Sequence, residues 1–391
     1  MSTDNDTDGA MDRPGAVKHL YVHLPFCRSR CDYCDFFSLA GRMDRAPAYV
    51  EAVLEEAADY GEALDGLETI YLGGGTPTML DGGLLGKMLR RLTGRASAGA
   101  EITAEANPAT VDSGMAQALS AAGVNRVSLG VQSFDGRLRR NLGRSGDPAA
   151  AGAAAANLRQ AGMDNIGLDL IFGIPGQSIQ DLQRDLERAL ALEPEHVSCY
   201  ELTVKEGSPY QRRWRKELEE TGSLGDRFYQ QLVEYLEREG FYWYETSNFA
   251  RPGRECRHNT ACWEGKDFIG LGAGAWSTVG LDRWRNSEDL GFREGSRHSE
   301  RLTLRQKTEE RLILGLRQAK GVIYDDVAEI INAGEQRRLQ ENGFLSAEGG
   351  RISLTRRGRL VANESCARLL QEQAKPAPAP YGPPGYGRTD T

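Results

Sequence analysis

The sequence predicts an α/β protein: a partial (β/α)6 barrel carrying an α+β extension and a small winged-helix-like C-terminal domain. Three observations predict it. From residue 17, short β-branched or apolar runs alternate with longer amphipathic ones, which implies right-handed crossovers and a parallel sheet. The polar and glycine-rich residues fall at the C-terminal ends of the short runs, where (β/α) barrels build their sites. Beyond residue 205 the rhythm changes. The predicted boundaries are a disordered tail 1–16, a barrel core 17–250, an extension 251–301, a C-terminal domain 302–372 and a Pro/Gly-rich tail 373–391.

In order, strands are predicted at 19–25, 69–72, 101–104, 126–131, 166–171 and 196–202, with helices near 46–64, 82–95, 112–122, 147–161 and 178–192. Asp112, Asp147 and Ser178 precede apolar stretches as helix N-caps, and Gly123 and Gly162 follow them as C-caps. Cys27, Cys31 and Cys34 follow the first strand and Gly73-Gly74-Gly75-Thr76-Pro77-Thr78 the second. Glu105 follows the third and Gln132-Ser133-Phe134 the fourth; the fifth carries Asp169 and the sixth ends near Glu201. All converge on one rim. There, Arg144 suits a carboxylate, and Glu105 or Asp169 suits hydroxyls or an ammonium. Three successive glycines let a ligand approach the main chain.

After residue 205, 222–239 reads as an amphipathic helix, 241–246 as a strand and 254–280 as a Gly- and aromatic-rich segment. Helix signals at 304–318, 323–332 and 334–341 precede a hairpin at 344–354 that turns at Gly349-Gly350. That order resembles a winged helix. Arg351, Arg356, Arg357 and Arg359 make nucleic-acid contact one alternative, and a lid or docking domain the more economical one.

The chain has 391 residues, 40% of them hydrophobic, enough for one large core and a smaller one. The formal net charge of −8 argues against nucleic acid as the main partner. No apolar run is long enough to span a bilayer, and no start of signal-peptide type is present, so a cytoplasmic location is expected. In a reducing compartment, clustered cysteines are metal ligands rather than disulfides. The spacing Cys27-x3-Cys31-x2-Cys34 fits neither the paired Cys-x2-Cys of zinc ribbons nor a Cys-x2-Cys pair backed by two histidines, which makes zinc the weaker reading, and three thiolates on a four-iron cubane leave one iron open for chemistry.

These residues resemble the radical S-adenosylmethionine superfamily, in its oxygen-independent coproporphyrinogen III oxidase branch. The resemblance rests on the cysteine spacing with Tyr33, Gly73–Thr78, Gln132-Ser133-Phe134, Leu142-Gly143-Arg144 and Asp169-Leu-Ile-Phe-Gly-Ile-Pro-Gly-Gln177. It covers residues 17–280 and, more weakly, the C-terminal domain. It implies that Cys27, Cys31 and Cys34 hold a [4Fe-4S] cluster whose open iron is chelated by S-adenosylmethionine. Tyr21 then lies near that cofactor, Gly75 and Thr76 face its amino-acid part, and Glu105, Gln132, Arg144 and Asp169 surround the nucleoside.

Two readings share this core. Members with oxidase activity carry a fourth cysteine two residues after the third, where this chain has Phe36. Cys256-Arg-His258-Asn259-Thr-Ala-Cys262-Trp263 resembles the His-Asn-x-x-Tyr-Trp motif of HemW-type heme chaperones, with Cys262 in place of tyrosine. Trp276 stands where many relatives have histidine. The resemblance thus implies a heme chaperone that binds heme, with His258 as a candidate iron ligand, and passes it to an unidentified acceptor protein. The alternative is radical decarboxylation of coproporphyrinogen propionates. His258 as a loop-capping residue, or thiolate ligation by Cys256 or Cys262, remain rivals for the heme contact, and Cys199 and Cys366 read as core.

Overall fold

The computed structural model describes residues 15–144, 146–295 and 297–370; apart from residues 15, 16 and nothing beyond 370, the predicted tails lie outside them. Six parallel strands stand side by side in chain order: β1 (His19–Leu24), β2 (Leu67–Gly74), β3 (Ala96–Ala106), β4 (Arg126–Gln132), β5 (Ile166–Phe172) and β6 (His196–Glu201). The crossovers are α1 (Ala46–Asp59), α2 (Gly82–Thr93), α3 (Ser113–Ala121), the pair α4 (Gly136–Asn141) and α5 (Ala150–Gln160), and α6 (Ile179–Leu190). Local chemistry sets their ends. Asp112 accepts from the Met115 N–H, Ser178 forms a capping box with Asp181, and Gly123 and Gly162 take positive φ just past α3 and α5. Asp147 does not cap α5; Ala149 takes that position, and the Asp147 carboxylate accepts its N–H instead.

The main sheet does not stop at the sixth strand. At one edge β8 (Asn248–Ala250) pairs antiparallel to β6, and β7 (Tyr242–Trp243) pairs antiparallel to β8. On the other edge β9 (Phe268–Leu271) pairs parallel to β1, and β10 (Trp276–Val279), β11 (Asp282–Arg285) and β12 (His298–Arg301) follow antiparallel, giving twelve strands. β1 is therefore flanked on both sides, and all six of its residues are buried.

The apolar faces of α1–α6 cover the outside of this sheet, with Leu85, Met88, Leu89 and Leu92 of α2 and Leu182, Leu186 and Ala189 of α6 forming helical stripes. The inward face is different. His19, Tyr21 and His23 alternate along β1, Thr69 and Tyr71 along β2, and Glu101, Thr103 and Glu105 along β3, so the interior of the partial barrel is polar.

The C-terminal domain has its own core, with Leu312, Leu316, Leu339, Ile352 and Cys366 among its residues. It comprises α9 (Leu304–Leu316), α10 (Ala333–Glu341), α11 (Ala362–Leu369) and a three-stranded antiparallel sheet, while α7 (Gly225–Arg238) and α8 (Arg257–Trp263) precede it in the chain. Its hairpin strands are Leu345–Glu348 and Arg351–Leu354, as predicted. The helix expected over 323–332 is instead the two-residue strand Val322–Ile323 and a short 3-10 turn at Ala328–Ile330, because Val322 pairs with Ile352 across the sheet.

The four arginines weighed for nucleic acid are engaged within the chain. Arg351 donates to the Lys320 and Gly321 carbonyls, Arg356 pairs with Glu237, and Arg357 lies over Phe344. Arg359 is buried 3.5 Å above the Trp243 ring and donates to the Trp243 carbonyl. The Arg356 and Arg359 contacts dock the domain on the barrel, and those of Arg351 and Arg357 stay within it. No helix of the described residues is long and apolar enough to cross a membrane.

Candidate functional site at the barrel rim

The loop carrying Cys27, Cys31 and Cys34 is held from two sides. On one side the Gly75 and Thr76 N–H groups donate to the Leu24 and Phe26 carbonyls, each at 2.8 Å, and the Thr76 hydroxyl lies 3.9 Å from Cys27 Sγ. On the other, the Asp32 N–H donates to the Leu142 carbonyl at 3.3 Å, and Arg144 Nη1 reaches to 3.9 Å from Cys31 Sγ. Tyr33 packs into an apolar cluster with Leu138, Leu142, Ile171 and Ile174, anchoring the loop between these supports.

The glycines explain themselves by what lies against them. A Cβ on Gly73 would sit 3.0 Å from the Glu105 carboxyl, one on Gly74 2.5 Å from the His23 ring, and one on Gly75 2.7 Å from the Pro25 carbonyl carbon. Gly143 has φ +67 and leaves room for the Asp32 carboxylate, 2.5 Å from where its Cβ would be. Close approach by the protein's own groups thus accounts for the run, and the Gly75 and Thr76 N–H groups expected to be exposed are occupied by the cysteine loop.

The three thiols are free and half-buried. Burial pushes the Cys34 thiol up to about 11 and raises Cys27, and each feels the charge of its neighbours in the loop. Among the described residues no three His, Cys, Asp or Glu side chains converge as a cage for one metal ion. A cubane makes no such demand, because each thiolate binds a different iron. The donor set fits a cluster: three unpaired soft ligands on one short loop, with the Arg144 guanidinium beside them to offset negative charge.

Around this loop the remaining predicted residues come together. Arg144 Nη2 donates to the Gly130 carbonyl, and Gln132 adopts φ 69 at a bulge in β4, its amide nitrogen 3.0 Å from where a Gly130 Cβ would lie. Asp169 accepts from Ser128 at 2.9 Å. Glu105 accepts from the Tyr71 hydroxyl at 2.8 Å. Burial, with the Asp169 charge adding and the Tyr71 hydrogen bond opposing, pushes the Glu105 carboxyl up to about 7, while burial also raises Asp169. Tyr21 is buried, bonds to His23 Nδ1 at 3.1 Å and stacks on Tyr71 at 6.2 Å.

His258 is elsewhere. It opens α8, where Glu101 accepts from its N–H and from that of Arg257, each at 3.0 Å. Its Nδ1 bonds to Thr69 at 2.8 Å, Thr69 to His19 at 3.0 Å, and its ring stacks on Tyr71 at 5.1 Å. It therefore sits toward the N-terminal end of the strands, below the rim, and burial lowers it to about 3. Its Nε2 is buried without a hydrogen-bond partner among the described residues. Cys256 is fully buried against Glu101, and burial raises both its thiol and that of Cys262, which disfavours thiolate ligation. Cys199 and Cys366 lie in the two cores, as expected. A cavity of about 720 Å³ opens at this lower end, lined by His19, Thr69, Glu101, Arg257 and Lys320 among others.

Sequence reasoning missed three residues that build the rim: Tyr71, Asp32 and Asp185. Asp185 of α6 is buried and accepts from the Ser133 hydroxyl and the Phe134 N–H, each at 2.7 Å, fixing the segment that follows Gln132. Replacing Asp185 with alanine should leave both donors unpaired and lower stability by about 2–4 kcal/mol, read as a fall in the urea midpoint at unchanged slope.

The Radical SAM superfamily model matches residues 21–189, and the HemN C-terminal domain model matches residues 302–361. The chain is 35% identical to the heme chaperone HemW of Mycobacterium tuberculosis (strain ATCC 25618 / H37Rv), over 93% of this chain and 97% of that protein. It is 32% identical to the heme chaperone HemW of Bacillus subtilis (strain 168), over 91% of this chain and all of that one. The solved coproporphyrinogen III oxidase HemN of Escherichia coli shares the fold, with a TM-score of 0.71 at 22% identity over 91% of this chain and 90% of its own. With relatives this similar along nearly its whole length, the chain belongs to the HemW family of the radical SAM superfamily.

Proposed function

We propose that this chain is a heme chaperone that holds a [4Fe-4S] cluster on Cys27, Cys31 and Cys34, binds S-adenosylmethionine at the rim, and delivers heme to an acceptor protein. The observation that carries the chaperone over the oxidase reading is Phe36, which stands where the oxidases resembled by the core have a fourth cysteine. The HemW names of its relatives agree. The bound cluster supplies an open iron for the amino and carboxylate groups of S-adenosylmethionine. The chain's own residues orient the rest: Glu105, Gln132, Arg144 and Asp169 surround the nucleoside, with the two carboxylates accepting from its hydroxyls, and Gly75, Thr76 and Tyr21 lie beside the amino-acid part.

Heme is cargo, and His258 is its proposed ligand. The donor chemistry suits iron in the tautomer whose Nδ1–H donates to Thr69, which leaves a lone pair on the unpartnered Nε2. Access does not come ready-made. His258 is 2% exposed, so heme reaches Nε2 only once the packing around it opens.

Heme titration of the anaerobically reconstituted protein is expected to give a Soret band, and His258→Ala to weaken heme binding at least about tenfold, or about 1.4 kcal/mol. Absence of heme binding sinks the chaperone reading. Conversion of coproporphyrinogen III to protoporphyrinogen IX on the same sample favours the oxidase instead.

A further inference from the structure

The polar interior between the rim and α8 holds a cation that neither proposed site uses. Arg126, at the start of β4, is 2% exposed. Its Nε and Nη1 are buried and have no hydrogen-bond partner among the described residues. A guanidinium in that state is costly, because nothing replaces the water it left. Its acidic neighbour Glu101 does not neutralise it by contact: both Glu101 oxygens already accept from Cys256, Arg257 and His258.

Other unpartnered polar atoms gather around it. Thr103 is its register partner on β3, so the two side chains share the inward face, and Thr103 Oγ1 is buried without a partner. A Cβ on Gly167 of β5 would lie 3.2 Å from Ser128 Oγ, 3.4 Å from His196 Nδ1 and 3.7 Å from Arg126 Nη2, so these polar groups converge there; that His196 nitrogen is also unpartnered among the described residues. A Cβ at residue 167 would fill the point where these groups approach one another. Tyr71 and Tyr244 stand close enough to feel the Arg126 charge, and burial keeps both phenols neutral. The cluster is rich in unpartnered donors and lies between fixed strands, and Glu101 and Asp169 are the carboxylates that feel its cation; free donors on fixed strands are the chemistry of an oxyanion site.

We propose that Arg126, with His196 and Thr103, forms a carboxylate-binding site inside the barrel, and that it receives a carboxylate arm of the cargo. The identity of the carboxylate's owner rests on the heme reading; the site itself does not. The unpartnered Nε and Nη1 of the planar fork offer a carboxylate charge-assisted hydrogen bonds, and the neutral hydroxyl and imidazole serve its remaining lone pairs. Removing the cation then has opposite consequences with and without ligand. In the free protein Arg126→Met removes buried donors that have no hydrogen-bond partner and fits the stem's volume; in the complex it removes the anchor.

The test uses the cluster-reconstituted full chain and three probes: heme, heme dimethyl ester and acetate. Wild type is expected to bind heme at least tenfold more tightly than the diester, and Arg126→Met to bind both equally. Arg126→Met without ligand is expected to melt no lower than wild type. If the variant keeps the preference for the free acid, or melts far lower in the absence of ligand, Arg126 is a structural residue and the proposal is overturned. If wild type binds neither tetrapyrrole, the heme reading fails. The site then still stands if acetate raises the wild-type melting temperature saturably and leaves that of Arg126→Met unchanged. Indifference to all three probes overturns the site.

Discussion

Replacing Cys31 with alanine is expected to strip the cluster while leaving the fold intact. All protein ligands of the proposed cluster come from one loop, so losing one of three thiolates leaves two irons open instead of one. Such a cluster does not survive reconstitution; iron should fall from about four per chain to below about one, with loss of the visible absorption of the sulfide-bridged irons. The fold does not depend on the thiol. Cys31 is partly exposed on a loop, and the loop's backbone is fixed independently by Leu24, Phe26 and Leu142. Stability of the metal-free protein should change by less than about 0.5 kcal/mol. Cys199→Ala provides the opposite pattern. That residue is 1% exposed in the main core, so the variant should lose about 1 kcal/mol of stability and keep full iron content. Equal iron content in Cys31→Ala and wild type would remove the cluster assignment.

The same contrast shows what the sequence makes legible. β1–β6 stand out as apolar runs bounded by Gly, Asn and Pro, and the residues at their C-terminal ends come together at the rim as barrel geometry requires. β9 was hidden because Phe268–Leu271 lies among glycines and alanines, and its strand conformation comes from pairing with β1, some 250 residues earlier. The 323–332 segment departs from its helix signal for the same reason, since the pairing of Ile323 with Arg351 overrides it. At the site, the cysteines and glycines were legible as motifs. Tyr71, Asp32 and Asp185 were not, because each acts through a partner distant in sequence: Glu105, Gly143 and Ser133. One signal was present and unread. Polar residues at every second position, as in His19, Tyr21 and His23 or Glu101, Thr103 and Glu105, mark a polar barrel interior, and Arg126 and His258 belong to it.

Gly75→Ala should be the most damaging substitution of a single methyl group at the rim. The obstacle is purely steric, and it cannot move aside. The new Cβ would stand 2.7 Å from the Pro25 carbonyl carbon and 2.8 Å from the Leu24 and Phe26 carbonyl oxygens, all main-chain atoms. Relief requires the strand end and the cysteine loop to part, which breaks the Gly75 to Leu24 and Thr76 to Phe26 hydrogen bonds. Two lost backbone bonds and the residual overpacking together cost about 3–5 kcal/mol. Because Cys27 directly follows Phe26, the same displacement moves a cluster ligand, so iron content should fall with stability. Gly73→Ala separates the two effects. Its Cβ would meet the Glu105 carboxyl at 3.0 Å, the far end of a side chain that can swing away. Stability and iron should then be nearly retained, while S-adenosylmethionine binding weakens as Glu105 leaves its place beside Tyr71. Thermal melts, iron counts and cofactor titration on the two variants read these outcomes. A Gly75→Ala protein with wild-type iron and melting temperature would show that the glycine segment does not hold the cysteine loop in place.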